Sequence, residues 1–216
     1  MSIVSILIQL TDGMIKTVEI FFLTLLFSLP LGLLLSFCRM SKNLIIRSLA
    51  KFYISIMRGT PLMLQLMVVY FGPYFFFGIQ ITTAYRFAAV IIGFVLNYAA
   101  YFAEIYRSGI ESISIGQYEA AKILGYSKAQ TFYKIILPQV IKRILPPVTN
   151  EVITLVKDTS LAFAIAVSEM FTVAKGIVAA QATLVPFAIA GVFYYLFNLL
   201  VAFIFEKIEK KLSYYR

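Results

Sequence analysis

The 216-residue chain is 61% hydrophobic and 13% charged, with a mean hydropathy of +0.90. About a quarter of the residues in a soluble globular domain are charged, so this composition excludes that class and predicts an integral membrane protein. The net charge of +9 does not indicate nucleic-acid binding, because Lys and Arg in a membrane protein report its orientation. With no His and one cysteine, Cys38, the sequence lacks the residues for a Cys/His metal site, a histidine base or an internal disulfide.

Five apolar segments approach or exceed the roughly 20 residues that a membrane-spanning helix needs. Four contain no Asp, Glu, Lys or Arg: Ile20 to Cys38 within a first span from about Met14, Gly59 to Tyr85, Phe87 to Ala103, and Gly176 to Phe205. The fifth, about 144–167, is as apolar but holds three charges. We expect one all-α membrane domain, residues 1–216, with five transmembrane helices.

The start of the chain predicts a further, separate helix. Ile3 to Leu10 is apolar and short, which favours a helix at the membrane interface. The first fifteen residues contain no Lys or Arg, so they do not resemble the basic start of a cleavable signal peptide.

Basic residues predict the orientation of these spans. Most of the 19 Lys and Arg residues fall in the first loop, in and around the third loop, and in the tail from Lys207 to Arg216. All three segments lie on one side of a five-span arrangement, and an excess of Lys and Arg marks the cytoplasmic side. We expect the N-terminus outside and the C-terminus in the cytoplasm.

A helix-breaking sequence, Arg58 to Leu62, lies where the second span starts. Backbone groups freed by such a break are tolerated at membrane depth only if they are buried in protein or line a polar cavity. Thr60 to Gln65 therefore either lines a substrate pathway or simply begins a helix. Farther on, Gly72, Pro73 and Gly78 predict the second outer loop.

Polar side chains recur at helical spacing in the third span, about Tyr85 to Tyr106. Asn97, Tyr98 and Tyr101 are followed one turn later by Glu104. They either face a transport pathway or form hydrogen bonds between helices, with Glu104 paired to Arg107 or Arg58.

A polar stretch, Gly116 to Pro138, interrupts the apolar pattern and predicts a hairpin of two short helices. Gly125 is the residue type with which a helix ends in a left-handed turn. Ser127 and Gln130 have the spacing of a capping box, and Pro138 is expected to end or bend the second helix. The alternative is an ordinary loop with two amphipathic turns.

Two carboxylates, Glu151 and Asp158, lie in the fourth span, whose start Pro146 and Pro147 are expected to interrupt. A charge inside a membrane needs a partner or a function. Seven residues apart, the carboxylates fall on one face of a helix with Thr154 between them, roughly 10 Å apart, where they could bind a guanidinium or ammonium group. Alternatively, Lys157 pairs with Glu151 or a neighbouring helix, and Asp158 caps the following helix.

The last part of the chain contains an outer segment and a final span. Ser168 to Thr183 includes Glu169 and Lys175 and is expected outside the membrane. Pro186 then opens the last helix, at a position where the missing amide of proline costs nothing.

These motifs resemble the membrane subunits of ABC importers. Glu119-Ala120-Ala121, Gly125 and the stretch Ile135 to Pro138 match the EAA loop of that family at every fixed position. Arg58 to Leu62, Arg107 to Ser112 and Lys157 to Leu161 are similar to its polar amino-acid subgroup, although the last stretch is common to permeases of differing specificity. The resemblance implies the type I importer fold.

The resemblance also implies site residues. A cytoplasmic coupling loop, about 108–138, would dock helices into a separate ATP-hydrolysing subunit through Glu119, Ala120, Ala121, Gly125, Ser127, Leu137 and Pro138. The candidate substrate-binding residues are Glu151, Asp158, Asn150, Thr60, Pro61, Leu62, Gln65 and Tyr98. We expect neither a catalytic residue nor a metal site.

We expect the chain to be the permease subunit of an importer for polar amino acids. The two carboxylates indicate that these amino acids are cationic. The sequence contains no P-loop motif, so ATP and Mg²⁺ are expected on a partner chain. The resemblance implies two ATPases, a second permease subunit that is identical or a paralogue, and an extracytoplasmic solute-binding protein, all working by alternating access in the lipid bilayer. Glutamine or glutamate is the alternative substrate. The remote alternatives are a channel, an ion-coupled transporter, or an intramembrane enzyme. Such an enzyme would use the paired carboxylates, although no nucleophile lies beside them.

Overall fold

A computed structural model describes residues 2–212. In this range the chain is helical and contains no β-strand. The α-helices are α1 (Ile3–Arg39), α2 (Leu44–Gly59), α3 (Leu62–Phe77), α4 (Tyr85–Glu111), α5 (Ile115–Ile123), α6 (Lys128–Gln130), α7 (Leu137–Asp158), α8 (Met170–Gln181) and α9 (Val185–Lys211). A π-helical segment, Thr131–Ile136, joins α6 to α7, and a 3₁₀ segment, Thr159–Ile165, follows α7. Arg216, the last residue of the basic tail, lies outside the described residues.

Three helices of the described chain, α1, α4 and α9, are long and apolar enough to cross a membrane. Two bent pairs also qualify if each is treated as one span: α2 with α3, bent by 111°, and Lys128–Ile165 with α8, bent by 57°. The all-α membrane fold is therefore confirmed, whereas the number of five spans stays a prediction.

The expected separate helix at the N-terminus is replaced by the first turns of α1. At about 1.5 Å per residue, the 37 residues of α1 extend over about 55 Å, well beyond the ~30 Å hydrocarbon core. Ile6 and Leu10 are buried in a cluster with residues of α8 and α9, including Met170 and Ala190. This packing continues the helix through the region where the sequence suggested a boundary.

Helix α4 lies at the centre of the fold, against α1 on one side and α7 on another. A Cβ atom added to Gly32 of α1 would come within 2.8 Å of Phe102 Cβ in α4, so the two helices touch there backbone to side chain. A Cβ on Gly109 of α4 would lie 2.2 Å from Ile144 Cγ2 in α7. Both glycines allow a close approach that any side chain would block.

Two expectations about proline-containing segments are wrong. Gly72 and Pro73 belong to α3, and the outer loop starts only at Gly78, which has a left-handed φ of +66°. Pro73 cannot donate to the carbonyl of Val69, but Tyr85 Oη donates to that oxygen at 3.0 Å, which compensates for the lost bond. Pro146 and Pro147 likewise lie inside α7 and do not interrupt it.

The expected outer segment contains a helix. Within the expected outer segment, 168–183, Met170 to Gln181 forms α8, which packs against α1 and α9. Pro186 lies in the first turn of α9, as predicted.

Candidate functional site

The break between α2 and α3 lies at Thr60 and Pro61, as the sequence predicted. The carbonyl groups released by the break are bonded by side chains. Gln65 Nε2 donates to Met57 O at 2.9 Å, to Thr60 O at 3.1 Å and to Thr60 Oγ1 at 2.7 Å. Thr60 Oγ1 donates to Ile56 O at 2.8 Å. Both side chains therefore hold the broken helix in shape.

Asn97 of α4 completes this arrangement. Its side chain is buried, at 4% exposure, and Nδ2 donates to Met57 O at 3.0 Å and to Gln65 Oε1 at 2.9 Å. This is the interhelical hydrogen bonding that was one of the two interpretations of the polar residues in α4. The other two predicted residues of the break contribute differently: Pro61 provides the backbone carbonyl that starts α3, and Leu62 packs against the apolar core.

Tyr98 and Asp158 meet between α4 and α7. The Tyr98 hydroxyl donates a hydrogen bond of 2.7 Å to Asp158 Oδ2. Tyr98 is buried and its ring stacks on Phe94, while Asp158 is half-buried at the end of α7. The capping alternative for Asp158 is wrong: its side chain makes no cap hydrogen bond, and the hydroxyls of Thr159 and Ser160 donate to carbonyls of the preceding turn.

Glu151 faces a different set of side chains. It lines a cavity of about 240 Å³ with Arg58, Tyr101, Glu104 and Arg107. The Arg58 guanidinium lies over the Tyr101 ring, 5.2 Å from its centroid. Because cations and carboxylates line the same cavity, it offers partners to both charged groups of a zwitterion.

No other residue of α7 lines the Glu151 cavity. The alternative in which Lys157 pairs with Glu151 or with a neighbouring helix is wrong, since Lys157 forms no salt bridge within residues 2–212. Asp158 does not line the Glu151 cavity, and the exposed Asn150 does not either. The hydroxyl of Thr154 is used within the helix, donating to Asn150 O at 2.9 Å. The two carboxylates therefore have separate surroundings.

Two of the residues that line this cavity, Glu104 and Arg107, belong to an ionic cluster. Glu104 accepts from Arg107 at 2.7 Å, as one interpretation predicted, and also pairs with Arg39 at 3.5 Å. Arg107 bonds Glu111 as well. Arg39 was missed by the sequence reasoning, because it stands at the end of α1 and only the packing of α1 on α4 brings it there.

The hairpin from Ile115 to Ile136 has the predicted turn. Gly125 adopts a left-handed φ of +77° after α5. The Ser127–Gln130 capping box is formed in both directions, with Gln130 N donating to Ser127 Oγ at 3.2 Å and Ser127 N donating to Gln130 Oε1 at 2.9 Å. Of the two outcomes expected at Pro138, the end of the second helix is wrong: the π-helical segment carries the chain directly into α7, with Pro138 in its first turn. The other outcome, a bend at Pro138, stays a prediction.

One face of the hairpin is buried and its tip is exposed. Ala121 and Ile136 are buried, and Ile136 packs with Ile113 and Val140. Glu119, Ala120 and Pro138 are exposed, and Leu137 is half-buried. At the tip, the apolar side chains of Ile123, Leu124 and Tyr126 are 86%, 73% and 39% exposed. Large apolar side chains presented on a turn in this way are typical of a surface that another protein covers.

Glu169 is a functional candidate that the sequence reasoning did not identify. Its carboxylate is fully buried and accepts hydrogen bonds from Phe171 N, Thr172 N and Thr172 Oγ1 at the start of α8. Tyr194 Oη of α9 donates to the same carboxylate at 3.0 Å. The group ties α8 to α9, and the only signal in the sequence was an acidic residue just before a helical segment.

Comparison with known proteins identifies related chains. Residues 28–214 match the family model described as "Binding-protein-dependent transport system inner membrane component". The Bacillus subtilis "Arginine transport system permease protein ArtQ" is 39% identical over 94% of this chain and 91% of its own length. The Rickettsia bellii "Putative glutamine transport system permease protein GlnP" is 37% identical over 94% of this chain and 92% of its own. A crystal structure of an amino acid ABC transporter with histidines matches with a TM-score of 0.88 and 31% identity, covering 97% of both chains.

Proposed function

Because the chain belongs to the family of binding-protein-dependent transport system inner membrane components, we propose that it is the permease subunit of an ABC importer that carries polar amino acids into the cell. Amino-acid permeases cover nearly its whole length in these matches, and it has the multi-pass helical structure of a membrane protein. The observation that carries the proposal is the hairpin with the EAA resemblance, whose turn and capping box form as its residues predict and whose apolar tip is exposed.

The hairpin supports a docking role toward a separate ATPase. Ile123 and Leu124 project from the turn at Gly125, while Ala121 holds the hairpin to the rest of the chain through its buried face. ATP and Mg²⁺ bind to that partner in this proposal. The assembly contains two such ATPases, a second permease subunit that is identical or a paralogue, and an extracytoplasmic solute-binding protein.

The proposed orientation puts the hairpin and the C-terminal tail in the cytoplasm and the N-terminus outside. The excess of Lys and Arg on the hairpin side supports it. Closure of the two ATPases would move the docked hairpins, and through the unbroken connection into α7 it would move the carboxylates of Glu151 and Asp158. That direct connection suits alternating access, in which one bundle of helices rocks against another.

We place the amino-acid substrate at the Glu151 cavity. Arg58 and Arg107 can bind the α-carboxylate of the substrate, and Glu151 can bind a guanidinium or ammonium group on its side chain. The ArtQ relative agrees with a cationic substrate. Glutamine is the second candidate, favoured by the GlnP relative.

Co-purification tests the proposed docking. The full chain, expressed in cells with its ATPase, should retain that ATPase, whereas Ile123→Ser should release it, because this side chain is 86% exposed and does not contribute to the fold. Leu184→Ser, 73% exposed in the loop before α9, is the matched control and should retain the ATPase. A wild-type chain that brings no ATPase would contradict the proposal and favour a channel or an enzyme.

A further inference from the structure

Helix α2 has three distinct faces. At about 100° per residue, Ile45, Leu49, Phe52 and Ile56 fall within one narrow stripe. All four are exposed, Phe52 to 66%. We call them the α2 apolar stripe. A second face, with Ala50 and Ile54, is buried against α4.

The third face of α2 is basic and lines a cavity. Lys51, Ser55 and Arg58 lie on one side of the helix, turned away from the α2 apolar stripe. With Arg39 from the end of α1 and Glu104 from α4, they line a space of about 350 Å³. Arg58 lines both this space and the Glu151 cavity.

The charges in this cavity are unbalanced. Three cationic side chains stand against one carboxylate, and that carboxylate is already bonded to Arg107 and Arg39. Lys51 forms no salt bridge with any described residue, and Arg58 makes a cation–π contact with Tyr101 but no salt bridge in the described chain. Ser55 adds a hydroxyl donor. A cavity with excess positive charge and uncommitted donors is complementary to a phosphate group.

The direction of α2 determines where the phosphate comes from. Since α2 is bent by 111° from α3, it runs closer to the membrane plane than to the membrane normal if α3 crosses the bilayer. A helix in this position with an exposed apolar stripe and a basic face is the usual form of an interfacial amphipathic helix. Acyl chains can cover the stripe while the basic face meets headgroups.

We propose that the cavity between α1, α2 and α4 binds the phosphate group of an anionic phospholipid from the leaflet on the hairpin side, with the acyl chains against the α2 apolar stripe. This site shares Arg58 and Glu104 with the adjacent amino-acid cavity, but it does not depend on which amino acid is carried. It lies beside Arg58, so lipid binding would also help to hold the helix break at Thr60 and Pro61 in place.

Tryptophan fluorescence of the full chain in liposomes tests the site. The sequence contains no tryptophan, so Phe52→Trp introduces a single reporter in the α2 apolar stripe. Brominated phosphatidylglycerol and brominated phosphatidylcholine, each tested in the same proportion, quench a tryptophan that touches their acyl chains. We expect stronger quenching by phosphatidylglycerol, and the ratio of quenching by phosphatidylglycerol to quenching by phosphatidylcholine measures the preference. Adding Lys51→Gln to the Phe52→Trp chain should lower this ratio about five-fold.

Two controls separate this site from other sources of the effect. Lys42→Gln removes a charge just before α2 but outside the cavity, and it should leave the preference nearly unchanged. Inorganic phosphate added at constant ionic strength should not displace the lipid.

Three outcomes would overturn the proposal. Equal loss of preference in the two lysine variants would mean a diffuse electrostatic attraction without a site. Displacement by inorganic phosphate would assign the cavity to a soluble anion. Absence of quenching by either brominated lipid would mean that a second protein chain covers the stripe.

Discussion

Tyr98 of α4 and Asp158 of α7 are joined by a hydrogen bond of 2.7 Å although sixty residues separate them in the chain. The bond ties the helix that lies at the centre of the fold to the helix that continues from the hairpin. It also leaves one carboxylate of α7 occupied by a protein donor, while Glu151, two turns earlier, faces a cavity.

Removing the hydroxyl should weaken the contact between these helices. Tyr98→Phe leaves a half-buried Asp158 without its donor, and we expect a loss of about 1 to 2 kcal/mol in the free energy of unfolding. Unfolding of the purified chain in denaturing detergent measures it. Tyr101→Phe is the control, since no hydrogen bond of its hydroxyl is present within the described chain and its ring contacts are kept. Equal destabilisation by both changes would contradict a specific role for the bond.

The helix break should depend on two amide side chains acting together. Gln65→Leu removes donors to Met57 O, Thr60 O and Thr60 Oγ1, and Asn97→Leu removes donors to Met57 O and Gln65 Oε1. We expect Gln65→Leu to be the more destabilising, because it leaves Thr60 O without a side-chain donor, whereas Asn97→Leu leaves Met57 O bonded to Gln65. The double variant should cost more than the sum of the two, by about 0.5 kcal/mol or more, because Met57 O keeps one donor in each single variant and loses both only in the double variant.

The same unfolding measurement of both single variants and the double variant provides this comparison. Strict additivity would mean that Gln65 and Asn97 act independently and that the shared carbonyl is not important.

The turn of the hairpin should be needed for coupling but not for insertion. A valine at the Gly125 φ of +77° adopts a conformation that β-branched residues avoid, at a cost of at least about 1 to 2 kcal/mol. We expect Gly125→Val to abolish substrate-stimulated ATP hydrolysis by the assembled transporter while membrane insertion is unchanged.

Gly116→Ala is the control within the same hairpin, because its Cβ would make only an ordinary contact of 3.6 Å with Ser114 Oγ. Hydrolysis that is unchanged in Gly125→Val would remove the hairpin from the coupling mechanism.

Local features of this chain could be predicted from the sequence, and contacts between distant residues could not. The turn at Gly125, the capping box at Ser127 and the break at Pro61 depend on residues within a few positions of each other. The pairing of Arg39 with Glu104 and of Glu169 with Tyr194 depends on how whole helices pack, which no local pattern contains.

The error about Pro73 has a visible physical cause. A proline ends a helix when the lost hydrogen bond is not replaced. In α3 the hydroxyl of Tyr85, twelve residues after Pro73, donates to the Val69 carbonyl that proline leaves free. Such a replacement is visible only in three dimensions, and it explains why the outer loop is shorter than predicted.

The orientation of the chain stays a prediction that protease protection can test. A tag placed after Arg216 should be protected in intact cells, because the basic tail is expected on the cytoplasmic side. Cleavage of the tag by external protease would show that the orientation is the reverse of the predicted one. The hairpin would then lie outside, where no ATPase could dock.

The central claim is that Glu151 contacts a charged amino-acid substrate, and uptake into proteoliposomes tests it most directly. The complete transporter should be reconstituted with ATP inside the compartment that holds the ATPase, and labelled arginine and glutamine should be compared for the wild type and for Glu151→Gln. We predict that arginine uptake falls by about ten-fold or more, as expected from losing roughly 1.4 kcal/mol or more of binding, while glutamine uptake changes much less. Equal loss of both would contradict the claim and would make Glu151 a structural residue of α7.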